Sequence, residues 1–298
     1  MEKQKKTALA YALLAILSWS TASTAFKFSL FELTYYQVLY VSSLVATLMY
    51  FVFLLAEGNL KTAFRFQKKD YGFTFLSALL NPIAYYLILL KAYSLLPAQI
   101  AQPMNYTWPL ILVLISAIFL KQKLQLISII SLLISFFGVL VISLQGDISS
   151  INIKEPFGVF LAAFSAVVWA FYWILNVKDT RNESTKLFLG FFVASILMTL
   201  YSIFFAPQMF EMQINRSFYA AIYVGLFELA FPFLLWMKAM RMVKDNAQIN
   251  NLVYLSPFLA LIFIHFVLGE QIYYTTLLGL FFILLGIGLS QRKKKVVN

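Results

Sequence analysis

One carboxylate lies deep inside a long apolar stretch of the sequence. Glu228 stands between the residues GLF and LAFPF, and no other acidic residue lies so far inside an apolar run. A charged side chain in hydrocarbon costs several kcal/mol, so such a group normally faces a protein interior or a water-filled cavity. It can bind a cation there or exchange a proton. Glu228 and the single histidine, His265, are therefore the candidates for proton coupling.

Aromatic and amide side chains recur at helical spacing in two other apolar runs. Residues at i, i+3, i+4 and i+7 share one face of a helix. Such a face would offer rings to an apolar or cationic group and neutral hydrogen bonds to a polar one. The two sets are Gln102, Asn105, Tyr106 and Pro109, and Trp169, Tyr172, Trp173 and Asn176.

These side chains predict a binding site near the middle of the apolar runs, although each of them could instead only pack or bridge helices. The candidate substrate-binding residues are Trp19, Asn81, Tyr85, Gln102, Asn105, Tyr106, Trp108, Trp169, Tyr172, Trp173, Glu228, Asn250 and Tyr254. Proline has no N–H and often kinks a helix. Pro109, Pro232 and Pro257 are thus candidate hinges, with fixed kinks as the alternative.

The elements that must position these residues are long apolar helices. A bilayer core of about 30 Å needs about 20 apolar residues per helix. Continuous apolar runs, rather than alternating ones, favour helices over a membrane β-barrel. The fold class predicted is an all-α integral membrane protein with ten transmembrane helices, at 7–28, 35–56, 72–93, 99–120, 124–145, 156–177, 186–206, 217–239, 247–268 and 273–290.

Composition excludes several classes of protein. The 298 residues are 62% hydrophobic and only 12% charged, whereas soluble domains are about 25% charged. A soluble enzyme or a nucleic-acid-binding domain is therefore excluded. With no cysteine and one histidine, we expect no cofactor and no metal. A membrane enzyme would need clustered carboxylates, a histidine pair or an activated nucleophile, and none is visible. It stays a remote alternative.

Basic residues predict the orientation. With the N-terminus inside, 19 of the 23 Lys and Arg residues fall in inner segments. This positive-inside bias predicts a multi-pass protein of the plasma (inner) membrane with cytoplasmic N- and C-termini. It also explains the net charge of +11 by contact with lipid head groups rather than with nucleic acid.

The two halves of the chain resemble each other. Pro109, Gln122 and Gly138 recur 148 residues later as Pro257, Glu270 and Gly286. Because each half would hold five helices, the second must enter the membrane from the opposite side, as in inverted-repeat transporters. We expect one repeat at 1–148 and the other at 149–298. Similarity by apolar composition alone is the alternative.

The five-plus-five layout and the ending SPFLALIFIHFVLGEQ…LLGLFFILLGIGLS resemble the EamA-type permeases of the drug/metabolite transporter superfamily. The stretches LSWST (17–21), MNYTWPL (104–110) and AVVWAFYW (166–173) resemble its aromatic amino acid exporter (YddG-type) branch. This resemblance implies ten helices, both termini inside and export of small metabolites. The first half departs from the pattern, with Lys121-Gln122 where the second has Gly269-Glu270.

We therefore expect a transporter, not an enzyme, that exports neutral or aromatic amino acids by alternating access through a central midplane cavity. Nucleosides, purines and cationic drugs are the alternative substrates. Phosphorylated substrates are disfavoured because no Lys or Arg lies deep in a span. The expected partners are a small-molecule substrate and the lipid bilayer, with no nucleic acid and no obligate protein partner.

Overall fold

The computed structural model describes residues 2–65, 67–119, 126–147, 154–242 and 252–292, and every regular element in them is helical. Two π-helical turns, Leu79–Ala84 and Gly225–Ala230, and two 3-10 turns, Pro207–Phe210 and Val253–Leu255, interrupt or join the α-helices. The α-helices are α1 (Glu2–Ser29), α2 (Tyr35–Ala56), α3 (Leu60–Ala63), α4 (Lys68–Ala78), α5 (Tyr85–Leu95), α6 (Ala98–Asn105), α7 (Trp108–Phe119), α8 (Leu126–Ser143), α9 (Pro156–Lys178), α10 (Glu183–Phe205), α11 (Arg216–Val224), α12 (Phe231–Met242), α13 (Ser256–Leu268) and α14 (Tyr274–Arg292).

Eight helical stretches are long and apolar enough to cross a membrane, and they coincide with the first eight predicted spans. Two shorter apolar stretches, Val253–Leu268 and Tyr274–Leu289, fall in the ninth and tenth. The all-helical membrane class is thus confirmed, while the number of ten spans stays a prediction. The eight stretches are Lys6–Ser29, Tyr35–Ala56, Lys68–Leu95, Ala98–Phe119, Leu126–Ser143, Pro156–Lys178, Glu183–Phe205 and Arg216–Met240.

Polar caps explain where several of these helices begin. Thr34 and Gln37 form a capping box at the start of α2, in which each side chain accepts a hydrogen bond from the other residue's backbone N–H. Asn182 caps α10 through the amide of Ser184, and Asn215 caps α11 through the amide of Phe218. Each cap satisfies an amide that has no partner inside its helix.

The chain divides into two compact units, each built from two separate stretches. The first unit comprises Met1–Leu87 and Asp179–Leu268, and the second comprises Ile88–Lys178 and Gly269–Asn298. Each unit therefore combines residues from both predicted repeats.

In the first unit, α1 packs on α11, α12 and α13, while α2 packs on α10 and on the π-helical turn Gly225–Ala230. Gly225 permits this last contact, since a Cβ there would lie 2.7 Å from the carbonyl oxygen of Ser42 and from the Cβ of Val45. The largest side chains of the interior include Tyr50, Tyr86 and Phe191.

In the second unit, α8 and α14 lie against each other along a line of small residues. A Cβ on Gly138, Gly279 or Gly286 would collide with atoms of the facing helix. Ser135 Oγ donates to the carbonyl of Ile283 at 3.0 Å across the same contact. This is the close backbone approach that small residues allow between membrane helices.

Four predicted spans are interrupted rather than continuous. The third and eighth contain the π-helical turns, the fourth stops at Asn105 and resumes at Trp108, and the ninth has a 3-10 turn before Ser256. Pro109, Pro232 and Pro257 are each the second residue of the helix that follows an interruption. Because proline has no N–H, each of them removes one possible hydrogen bond to the preceding turn at its junction.

Candidate functional site

A carboxyl–phenol pair marks the interrupted part of the first unit. Tyr86 Oη donates to Glu228 Oε1 at 3.0 Å. Tyr86 is buried, whereas Glu228 is only partly so. The same π-helical turn is held from α2, where Tyr50 Oη donates to the carbonyl of Leu229 at 2.6 Å. Glu228 thus accepts one hydrogen bond, from Tyr86 to Oε1.

Asn81 lies in the other π-helical turn of this unit. Asn81 itself is not helical: its backbone is extended (φ −145°, ψ 117°) and forms a kink within the turn. The residue is only 2% exposed. The Oδ1 atom of Asn81, Thr24 Oγ1 and Ser43 Oγ are buried without a hydrogen-bond partner in the described structure. An unsatisfied buried polar group costs about 1–3 kcal/mol, so such atoms indicate where water or a ligand binds.

The remaining described candidates for substrate binding in the first unit are Trp19, Tyr85 and Tyr254, of which Tyr85 adjoins the pair of Tyr86 and Glu228. Trp19 packs against Phe233 and Trp236, with ring centroids 5.4 and 5.5 Å away. Tyr85 is buried beside Tyr86, and Tyr254 lies partly buried in its 3-10 turn.

His265 is exposed and stacks edge-on to Phe266, with the ring centroids 4.9 Å apart. Asn250 lies outside the described residues.

Four rings form a cluster in the second unit. Trp108 and Trp173 are nearly parallel, with ring centroids 6.1 Å apart and an interplanar angle of 9°. Trp169 meets Trp173 edge-on at 6.5 Å and lies 5.3 Å from Tyr172. We call these residues the ring cluster. It unites four predicted site residues on α7 and α9.

Buried polar atoms accompany the ring cluster on the neighbouring helix α6. Asn105 Nδ2 donates to Ser165 Oγ of α9 at 2.8 Å. Gln102 is 4% exposed, and its Oε1 has no partner within the described residues; the same is true of the indole Nε1 of Trp173. The unpaired acceptor of Gln102 and the unpaired donor of Trp173, in a unit lined by rings, suit an organic ligand that carries both a hydrogen-bond donor and a hydrogen-bond acceptor.

One predicted face needs correction. The sequence places Gln102, Asn105, Tyr106 and Pro109 on one helical stripe, but the helix ends at Asn105, and Trp108 starts the next one. The stripe assumed an unbroken helix, so its spacing does not extend to Pro109. The prolines at 103 and 109 are the signal that could have indicated the break.

Sequence reasoning missed the role of Glu270. Its carboxylate accepts hydrogen bonds from the amides of Ala98 (2.9 Å) and Gln99 (3.3 Å), the first residues of α6. The side chain of Gln99 accepts from the Tyr273 amide and donates to the carbonyl of Gln271. A carboxylate suits a helix N-terminus, where free amides and the helix dipole are positive. Glu270 therefore fixes the start of the helix that carries Gln102 and Asn105.

A second charged network lies between α9 and α10. Arg181 Nη2 contacts Asp179 Oδ2 at 2.6 Å and also donates from Nη1 to Thr74 Oγ1 of α4 at 2.8 Å. Burial by itself raises the pKa of the Asp179 carboxyl. The hydrogen bonds and charge of Arg181, with the charge of Lys186, outweigh that effect and hold the pKa below its ordinary value.

The described residues contain no group of three His, Asp or Glu side chains that could hold a metal ion. Their distinctive feature is instead the combination of interrupted apolar helices with polar groups at the interruptions. Discontinuous helices of this kind are typical of membrane transporters.

Comparison with known proteins agrees with this class. The model of the EamA-like transporter family matches residues 6–144 and 156–291, and the chain therefore belongs to that family. An uncharacterized transporter of Clostridium kluyveri is 25% identical over 187 residues, which cover 60% of this chain and 58% of that protein. The uncharacterized transporter YxxF of Bacillus subtilis is 25% identical over 262 residues, 87% of this chain and 81% of its own length.

A solved structure described as "Crystal structure of protein" aligns with 96% of both chains at a TM-score of 0.65 and 20% identity. At this identity the likeness concerns the fold. The family match and the eight helices long enough to cross a membrane together describe a multi-pass membrane protein of the EamA-like transporter family.

Proposed function

We propose that this transporter exports small neutral amino acids, aromatic ones above all, by alternating access. The observation that carries the proposal is the ring cluster together with the unpaired Gln102 Oε1 and Trp173 Nε1. Rings favour an aromatic or aliphatic side chain. The amide oxygen can accept from an ammonium group, and the indole N–H can donate to a carboxylate.

Glu228 supports the same substrate class from the first unit. A carboxylate with one fixed donor, Tyr86, retains lone pairs for an ammonium group. Asn81 Oδ1, buried and unpaired, is another acceptor for such a group. The Glu228 carboxyl and the Asn81 amide carry no positive charge, so neither repels a substrate with a positively charged amine.

The proposed architecture is two inverted five-helix repeats, with both termini in the cytoplasm of a cell whose inner membrane holds the protein. It is supported by the family match in two segments, 6–144 and 156–291, and by the π-helical turns that interrupt the third and eighth spans. Asn81 and Glu228, one in each turn, are 147 residues apart. The basic residues favour the orientation.

Organic cations are a second candidate substrate class. The observation in their favour is Glu228, since a partly buried carboxylate near the middle of a membrane helix attracts positive charge. Independently of Glu228, the rings of the second unit can attract a cation through their faces.

The test is exchange by the purified protein in liposomes, with labelled phenylalanine inside and a panel of amino acids, nucleosides and organic cations outside. Trp173→Ala should weaken exchange of aromatic amino acids several-fold, since one ring contact is worth roughly 0.5–1.5 kcal/mol beyond its buried area. Phe160→Ala, which removes an exposed ring of α9, is the matched control. Exchange of nucleosides without any amino acid would refute the proposal, and exchange of cations alone would select the second candidate.

A further inference from the structure

We infer that the first unit binds an anionic phospholipid on its exposed surface, with one acyl chain in a groove between α2 and α10. The groove has a volume of about 540 Å³. Its lining includes Leu48 of α2, the neighbouring Phe64, and Phe188, Ile196 and Leu200 of α10.

The wall of this groove is apolar, although three of its residues carry hydroxyl groups. Thr47 Oγ1 bonds to Ser195 Oγ at 3.0 Å, and Thr199 Oγ1 donates to the carbonyl of Ser195 at 2.7 Å. The hydroxyls are therefore satisfied within the two helices. Exposed hydrocarbon and rings remain, with Leu48 63% and Phe64 50% exposed.

The dimensions of the groove suit one acyl chain. Its lining on α10 runs from Phe188 to Leu200, thirteen residues that rise about 18 Å along the helix. One leaflet of the hydrocarbon core is about 15 Å thick, half of the whole core. A groove of this length accepts a chain that lies along the bilayer normal.

A basic cluster lies at the Phe64 end of the groove and selects the head group. Arg65, Lys68 and Lys69 follow Phe64 within five residues and are exposed. Of these, Lys68 and Lys69 begin α4, which packs on α10, the helix that forms one wall of the groove. Two acidic residues are near this cluster in the chain. Asp70 is buried and accepts a hydrogen bond from the Gln67 amide, whereas Glu57 is exposed and accepts one from Asn59 Nδ2. The three exposed basic residues therefore outnumber the one exposed carboxylate.

Charge complementarity therefore commits the site to an anionic phospholipid. Clusters of Lys and Arg at the end of a membrane helix attract anionic head groups. A zwitterionic lipid would offer the same acyl chain without the net charge, and a second copy of this chain would bring the same basic cluster and be repelled.

The test is native mass spectrometry of the full-length protein in detergent, with equimolar phosphatidylglycerol and phosphatidylcholine. We expect at least fivefold preferential retention of phosphatidylglycerol. The variant Arg65→Gln/Lys68→Gln/Lys69→Gln should lose that preference, and Ile196→Trp, which fills the groove, should release the lipid about tenfold more readily.

Two variants serve as controls. Lys3→Gln/Lys5→Gln/Lys6→Gln removes the same number of charges elsewhere, and Leu278→Trp adds the same ring to an exposed position of α14. Both should retain the lipid as the unaltered protein does. Four results would each overturn the inference. The two triple variants could lose lipid equally, or the unaltered protein could retain the two lipids equally. Ile196→Trp could have no effect, or it could dissociate a dimer. If either the Arg65→Gln/Lys68→Gln/Lys69→Gln variant or Ile196→Trp fails to elute as folded protein, the other variant tests the inference.

Discussion

At the scale of single residues, the partners of Glu228 decide what it can do. The sequence indicates that this carboxylate is buried deep in a span, because an acidic residue in an apolar run has few other places to lie. It does not indicate Tyr86, which is 142 residues away in the chain. A hydrogen bond between side chains far apart in the sequence depends on how the helices pack, and helical periodicity does not predict that packing.

We predict that Glu228→Gln weakens amino acid exchange, because an amide cannot offer a charged acceptor to an ammonium group. The half-saturating concentration should rise about tenfold, and flux driven by a pH gradient should fall in parallel. The measurement is initial rates of both fluxes in the same vesicles. Tyr86→Phe, which removes only the phenol that donates to Glu228, should have the smaller effect.

A different result would assign Glu228 another role. If pH-driven flux disappears while exchange is normal, the carboxylate couples protons and does not bind the substrate. If neither flux changes, Glu228 has only a structural role in the bundle.

Glu270 shows what sequence reasoning can overlook at this scale. The LGEQ motif was visible as a family mark, but its carboxylate caps a helix that starts 172 residues earlier. A cap supplied from another segment has no local signature, unlike the capping box of Thr34 and Gln37, which occupies four consecutive positions.

At the scale of elements, the helices could be predicted well and their interruptions could not. An apolar run of about 20 residues between charged segments leaves a membrane helix as the simplest solution, because backbone groups must be satisfied internally. A π-helical turn such as Leu79–Ala84 changes the hydrogen-bond pattern without changing the hydropathy. The interruptions therefore appear in the sequence only through proline and glycine residues such as Pro82 and Gly225.

The loop between α9 and α10 gives a pH prediction. The folded-state pKa of Asp179 lies below the unfolded value of about 3.9, so its stabilisation is complete well above that pH and is lost as the pH falls through the folded-state value. Asp179→Asn should therefore lower the thermal midpoint at pH 7, by the equivalent of about 1–3 kcal/mol. The difference from the unaltered protein should shrink below about pH 4.

The measurement is thermal unfolding of the protein in detergent between pH 3 and pH 7. Glu211→Gln, which neutralises an exposed carboxylate, should leave the midpoint unchanged across this range. A destabilisation by Asp179→Asn that is the same at pH 3 and pH 7 would contradict the role of the ion pair with Arg181.

At the scale of the whole molecule, the packing of α8 on α14 is a feature on which the second unit depends. We predict that Gly279→Ala destabilises the protein, because the added methyl group would collide with Ile142 and with the carbonyl of Gly138. Overpacking of this kind costs roughly 1–3 kcal/mol. Thermal unfolding and the yield of monodisperse protein measure the effect.

Gly288→Ala in the same helix is the matched control. A Cβ at Gly288 meets nothing within 4 Å, and alanine favours helix by about 1 kcal/mol over glycine. It should therefore be neutral or stabilising. Equal destabilisation by the two substitutions would show that the contact between the helices is not the cause.

The glycine contact also has a consequence for how the protein is made. The ribosome completes α8 at Ser143, but α14 begins only at Tyr274, 131 residues later. At about 5–20 residues per second, roughly 7–26 s pass after α8 is complete before synthesis of its partner begins. During that interval its small-residue face is open to lipid or to insertion factors. A ribosome that stalls after α13 would leave the glycine face of α8 without the helix that covers it, although α8 would still contact α6 and α7.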